Sequence, residues 1–297
     1  MSAPPAPAPP ARPPRTDGVP ADGSVRVGVD DRFHRAPSRP AGLQRVTQVA
    51  GRAIGPLFVL ALWWVASAQA WVSPILLPAP GTVWAAAVDL VSSGKLQDNL
   101  GVSLGRAMTG LGIGLVVGVT LALLTGLSKV AELLVDSNVQ MVRSMPILAL
   151  QPLVIVWFGI GEPTKILLVA LAVTFPVYIN THAAIRAVDA RFVELATTRG
   201  LGRLALVRHV VLPGALPGFL TGLRFATSIS WLVLVVAEQI NATAGIGYLM
   251  TQARTVARTD VIIVGLVVYA LLGLLSDTIV RLVQRKALSW SSTLQAR

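Results

Sequence analysis

Residues 191–214 read RFVELATTRGLGRLALVRHVVLPG, and apolar runs lie on both sides of them, at 166–185 and from 214 to 240. The stretch itself holds five charged side chains, a histidine, three glycines and a proline. An apolar run of ~20 residues is long enough to cross a bilayer as a helix, so this is a polar connection between two spans. Its own pattern is helical. Asp189 suits an N-cap, because its carboxylate can accept the first free backbone N–H groups. Phe192, Leu195, Ala196 and Arg199 share one helix face by three-and-four spacing. Gly200 can end that helix in a left-handed conformation at no steric cost, and Gly202 loosens the next link. Leu204, Val207, Val210 and Val211 form a second apolar stripe, which Pro213 is expected to close. The pattern predicts two short helices with a sharp break. A helix lying on the membrane surface fits it, and so does a docking knob for a soluble partner.

Working outward, apolar character continues through most of the chain. Of 297 residues 54% are hydrophobic and 13% charged, with mean hydropathy +0.68. A soluble domain of this length carries about twice that charge. Six spans are expected, at 53–72, 107–127, 147–158, 166–185, 214–240 and 261–280. The third is short and contains Gln151-Pro152. Helix breakers persist in membranes where protein or a cavity satisfies the freed carbonyl. Gly110, Gly114 and Gly118 recur every fourth residue in the second span; Gly214, Gly218, Gly222 and Ala226 do so in the fifth. Such stripes predict close helix packing. Between spans, SPILLPAPGTV reads as a loop, 84–100 as a short amphipathic helix too polar to span, 128–146 as amphipathic, GIGEPTK as a turn, and 241–260 as a loop with a short helix.

Net charge is +11, and its placement is a topology signal. With the N-terminus inside, 19 of the 25 basic residues fall on inside segments, five outside, and Arg224 within the fifth span. This predicts both termini and the opening stretch on the cytoplasmic side. Nothing in this charge pattern calls for nucleic acid. The chain has no cysteine, which excludes disulfides and thiolate chemistry. Residues 1–45 are rich in proline and arginine and cannot bury a core. The expected organisation is a disordered cytoplasmic tail (1–45), a transmembrane domain (46–290) carrying the 189–213 loop, and a short cytoplasmic tail (291–297).

Glu194-Leu195-Ala196, Gly200 and Val210-Val211-Leu212-Pro213 resemble the EAA loop of ABC-importer permeases, E-A-A-x3-G-x9-I-x-L-P. Leu195 and Val210 depart conservatively from that pattern. Further stretches between Leu77 and Trp290, among them NLGVSLGRAMTGLGIG, MPILALQPLVIVWFGIGEPTKI, GFLTGLRFATSISW and AGIGYLM, resemble the subfamily importing sulfonates, taurine, nitrate or similar oxyanions. The resemblance implies an all-α, polytopic fold of type I (MetI-like) architecture in a bacterial inner membrane. It implies two permease copies, two cytoplasmic ATPase subunits and an extracytoplasmic binding protein. Glu194, Leu195, Ala196, Gly200, Gly202, Leu212 and Pro213 would form the ATPase-coupling loop. The chain would be no enzyme and hold no cofactor or metal, ATP–Mg belonging to the ATPase; no G-x4-G-K-[ST] phosphate loop occurs in the sequence.

Polar residues inside spans are candidates for a transport path. Gln151, Arg224, Ser228 and Ser230 are the passage-lining candidates. Packing beside Pro152 is the plainer reading of Gln151, and pairing with a neighbour an equal one for Arg224. Asn180 and His182 fall near the end of the fourth span, with His182 read as a hydrogen-bonding anchor. Glu238 is read as a cap or gate, and Asp277 as an i,i+4 partner of Arg281. Other readings are an ion-coupled secondary transporter, which calls for intramembrane carboxylate pairs, a scaffold without a pore, or a permease for nitrate or a thiamine precursor.

Overall fold

The computed structural model describes residues 41–289, with side chains from Ile54 onward. The tail at 1–45, up to residue 40, and the tail at 291–297 lie outside the described residues. The chain divides into two units, Met1–Val59 and Leu60–Arg297, and the sites below lie in the second.

Ten helices are found among the described residues: α1 (Ala41–Ala68), α2 (Pro80–Ser92), α3 (Lys95–Leu127), α4 (Lys129–Arg143), α5 (Ile147–Phe158), α6 (Glu162–Arg186), α7 (Ala190–Thr198), α8 (Arg203–Gln239), α9 (Ile246–Thr255) and α10 (Thr259–Ala287). No strand occurs among them. Helices α3, α6, α8 and α10 are long and apolar enough to cross a membrane. Helices α4 and α5 pass that test only together and meet at a 90° bend. The apolar part of α1, Ile54–Ala68, is shorter than a full span. The six expected spans therefore become four full helices, one bent pair and one shorter apolar helix. The bend falls at 144–146; Gln151-Pro152 lies just past it, in the first turn of the α-helical part of α5, where Pro152 needs no intrahelical partner.

Helix α6 is the central post. On one side it receives the glycine stripe of α3. A Cβ on Gly110 would meet Val169 at 2.6 Å, and one on Gly114 would lie 2.6 Å from both Val173 and the Ala170 carbonyl. On its other side Gly222 of α8 lies so close that a Cβ would come 2.8 Å from the Pro176 carbonyl. Both stripes thus pack as their spacing predicts, and both pack on the same helix. Leu168, Val169, Val173 and Val177 are fully buried there. Elsewhere, Leu133, Val156 and Leu271 are exposed, as suits helix faces that meet lipid rather than water.

Three boundaries differ from expectation. The short helix expected at 84–100 is broken at Ser93-Gly94: its first part belongs to α2, which begins at Pro80, and the rest to α3. Helix α3 starts at Lys95, not near 107, because the charge of Arg106 is neutralised within the fold (below) and so does not end the helix. Pro213 does not close a second short helix. Arg203–Gln239 is continuous, 37 residues long, and Val207–Val211 is a π-turn. A proline ring ordinarily collides with the carbonyl four residues earlier; one extra residue in the turn widens the helix just before Pro213 and lets it continue.

Candidate partner-docking and passage sites

The polar connection folds locally as its sequence dictates. Asp189 caps α7, its Oδ1 accepting from the Arg191 N–H at 2.9 Å. At the other end the Leu201 N–H donates to the Ala196 carbonyl (3.0 Å) and the Gly200 N–H to the Thr197 carbonyl (2.9 Å). That is the paired closure of a Schellman motif, with Gly200 at φ +75°. A Cβ on Gly200 would meet nothing within 4 Å, so backbone conformation, not space, requires glycine there. Gly202 has φ −66° and an equally open surround; its geometry makes no demand for glycine.

Phe192, Leu195, Ala196 and Arg199 face an open cleft of about 720 Å³, whose other wall is His209, Val210, Pro213, Gly214 and Pro217 at the base of α8. Phe192 is 60% exposed, Leu195 57% and Leu204 83%, a concentration of apolar surface on a short polar connection. Ala196 is buried in the cleft wall. Glu194 and Gly200 are exposed and do not line the cleft; Leu212 lines a separate apolar cavity with Leu216 and Phe219. Helix α4 is tied to the end of α6 that leads into the loop. Glu132 of α4 pairs with Arg186 at 3.5 Å and approaches His182 at 3.7 Å, while Tyr178 donates to Asp136 at 2.7 Å. His182 also stacks on Tyr178.

At the opposite end of the helices lies a cluster that sequence reading missed. Glu238 is 1% exposed and accepts from Ser103, Arg106 Nη1, the Gly247 N–H and Tyr269 at 2.7–3.0 Å. Arg106, itself 4% exposed, forks onto both oxygens of Glu162 at 2.5 and 2.6 Å and reaches the Ala244 carbonyl at 2.7 Å. Lys165 donates to Glu162 at 3.0 Å. Burial of single charges is costly; here every one is paired and hydrogen-bonded, which ties α3, α6, α8 and α10 to the 241–246 turn. Outside the spans, Arg258 donates to Asp260 at 2.8 Å, a bond that raises the guanidinium pKa above its ordinary value. The signal in the sequence was an Arg and two Glu at span ends, but the partners stand 56 and 132 positions apart.

The passage-lining candidates do not come together. Gln151 is buried beside Lys165 and Leu168. Ser230 is buried and donates to the Thr227 carbonyl. Only Arg224 and Ser228 share a cavity, with Thr221, Phe225, Asp277 and Gln284. Arg224 is not a lone cation: it donates to Asp277, which also takes Arg281, as the i,i+4 spacing predicts.

Residues 114–289 match the family model for the binding-protein-dependent transport system inner membrane component. The chain belongs to this family. The permease is 47% identical over 80% of its length to SsuC of Escherichia coli (strain K12), provisionally named an aliphatic sulfonates transport permease protein, and covers 90% of it. It is 34% identical over 82% of its length to the taurine transport system permease protein TauC of the same strain, covering 90% of that chain. A chain of the MetNI methionine ABC transporter, in an inward-facing conformation, shares the fold at TM-score 0.51 and 20% identity, over 61% of the permease and 92% of that chain. The permease is thus a membrane-embedded transport subunit of an ABC importer, not an enzyme. ATP hydrolysis belongs to a separate subunit, and the family's transport is binding-protein-dependent.

Proposed function

We propose that two copies of this permease form the pathway of an ATP-driven importer carrying small aliphatic sulfonates, taurine among them, into the bacterial cytoplasm. The similarity to SsuC and TauC supports the cargo class. The excess of basic residues on inside segments supports an arrangement with both termini and α7 in the cytoplasm, and with the Arg106 cluster at the outer face.

The observation that carries the coupling role is the exposed apolar face of α7 beside the 720 Å³ cleft. In this reading Phe192 and Leu195 insert into a groove of the ATPase, with Glu194 at the rim. Gly200 and Gly202 form the joint, and Leu212 and Pro213 lie where the motion enters α8. ATP–Mg is held by the ATPase alone. A ligand shifts an equilibrium only by its differential affinity for the two states, and the ATPase grip on α7 supplies that difference. Both carboxylates of the outer cluster are occupied by Arg106, which disfavours an ion-coupled carrier using them.

The test is co-purification with the ATPase and cargo-stimulated ATP hydrolysis in proteoliposomes, with taurine, ethanesulfonate and nitrate as cargo. Glu194→Lys and Gly200→Pro are expected to lose stimulation while inserting normally. Full stimulation in both variants would overturn the coupling role, and transport of nitrate but neither sulfonate would overturn the cargo.

A further inference from the structure

Helices α8 and α10 share a polar seam. Thr221, Arg224 and Ser228 follow one another at three-and-four spacing on α8; Asp277, Arg281 and Gln284 do so on α10. Five of these six, with Phe225 in place of Arg281, line a cavity of about 450 Å³, within the roughly 300–1,000 Å³ usual for small-ligand sites. Arg224 stands fourteen residues from Glu238 and eleven from Pro213, about 21 and 16 Å along the helix, so on α8 the cavity lies within the span; on α10 it lies toward the end at Ala287, three residues beyond Gln284.

Its charges do not cancel. Asp277 Oδ1 accepts from Arg224 Nε at 2.5 Å, and Oδ2 from Arg281 Nε at 2.7 Å. Two guanidinium groups against one carboxylate leave a formal charge of +1. Both carboxylate oxygens are engaged, whereas Nη1 and Nη2 of Arg224 have no hydrogen-bond partner among the described residues. Arg224 is 43% exposed. A half-exposed guanidinium on a membrane-spanning helix is costly against lipid and is tolerated where it lines an aqueous cavity. Arg285 and Lys286 follow about one turn beyond Arg281 and extend the positive charge.

We propose that this seam is a transit site for a small oxyanion bearing one negative charge, of the organic sulfonate class. The free Nη edge of Arg224 donates to two sulfonate oxygens, and Asp277 holds the Nε edge so that the fork stays aimed. The identity of the natural anion rests on the cargo reading above; anion binding does not. An ion pair that merely tied α8 to α10 would need both partners equally, and that separates the two roles.

The full-length permease in zwitterionic nanodiscs is titrated with trifluoromethanesulfonate, read by ¹⁹F line broadening, with thermal unfolding followed in parallel. Wild type is expected to broaden the signal. Arg224→Gln should weaken binding about tenfold or more, and Asp277→Asn should retain or strengthen it, since its net charge rises. Ser228→Leu fills the cavity without touching the ion pair and should also lose binding, which keeps the test decisive if Arg224→Gln does not fold. No broadening by wild type, unchanged binding in the folded Arg224→Gln and Ser228→Leu variants, or loss of binding in folded Asp277→Asn would each overturn the site. Failure of sulfonate uptake by the assembled importer, with Arg224-dependent binding intact, would overturn the cargo reading instead.

Discussion

Gly245 and Glu238 compete for one small volume. Gly245 sits at φ +113°, and a Cβ there would lie 2.5–2.6 Å from the Glu238 carboxylate. Strained backbone of this kind costs on the order of 1–3 kcal/mol in any other residue, and displacing Glu238 would also break its bonds to Ser103, Tyr269 and Arg106 Nη1. Gly245→Ala should therefore lower the thermal midpoint of the purified permease markedly, measured by the loss of monodisperse protein on heating. Removing one partner of a buried pair costs about 3–5 kcal/mol, so Arg106→Ala should be worse still. Arg106→Ala with Glu238→Gln should recover part of that loss, because the uncompensated charge is gone. Gly200 presents the opposite case, where space is free but φ is +75°. Gly200→Ala should cost roughly 1–2 kcal/mol of local order and slow transport, while Gly202→Ala at φ −66° should leave uptake unchanged. Hydrogen exchange at the end of α7 reads the difference.

At the scale of elements, the glycine stripes say which helix faces are fixed. A Cβ on Gly114 would come within 2.6 Å of α6, whereas one on Gly112 would meet nothing within 4 Å. Overpacking in a filled core costs about 1–3 kcal/mol, and here backbone blocks relief. Gly114→Val should prevent accumulation of folded permease, and Gly112→Val should be tolerated; yield and elution profile after detergent extraction decide between them. This part of the fold was legible because a four-residue period is local information. So were the Asp189 cap and the Gly200 break, each set by a few consecutive residues. The start of α3 was not legible. Lys95 to Arg106 looks too polar to join a span until Glu162 and Glu238 are seen against Arg106. Pro213 misled for a related reason: a proline reads as a stop, and nothing in the residue pattern announces the π-turn that accommodates it. The Arg224–Asp277 pair likewise depends on a neighbour 53 positions away.

At the scale of the molecule, continuity through Pro213 changes how motion reaches the membrane. Two short helices on flexible links would dissipate a push on α7. In the coupling role proposed above, a continuous helix from Arg203 to Gln239 would deliver it along α8, past the α6 contact at Gly222, to Glu238 and the Arg106 cluster. The π-turn at Val207–Val211 interrupts the regular i→i−4 pairing of that lever for a single turn. Replacing Val207 and Val210 by glycine should soften it further, each costing about 0.5–1 kcal/mol of helix stability, without altering the exposed Phe192 and Leu195 of the proposed docking face. The ATPase should still co-purify and still hydrolyse ATP. Cargo delivered per ATP should fall, because the grip remains while the lever yields. Proteoliposomes that report uptake and phosphate release together measure that ratio directly. An unchanged ratio with normal ATPase binding would show that α8 does not carry the motion, and would shift attention to the Glu132–Arg186 contact between α4 and α6 as the route into the membrane.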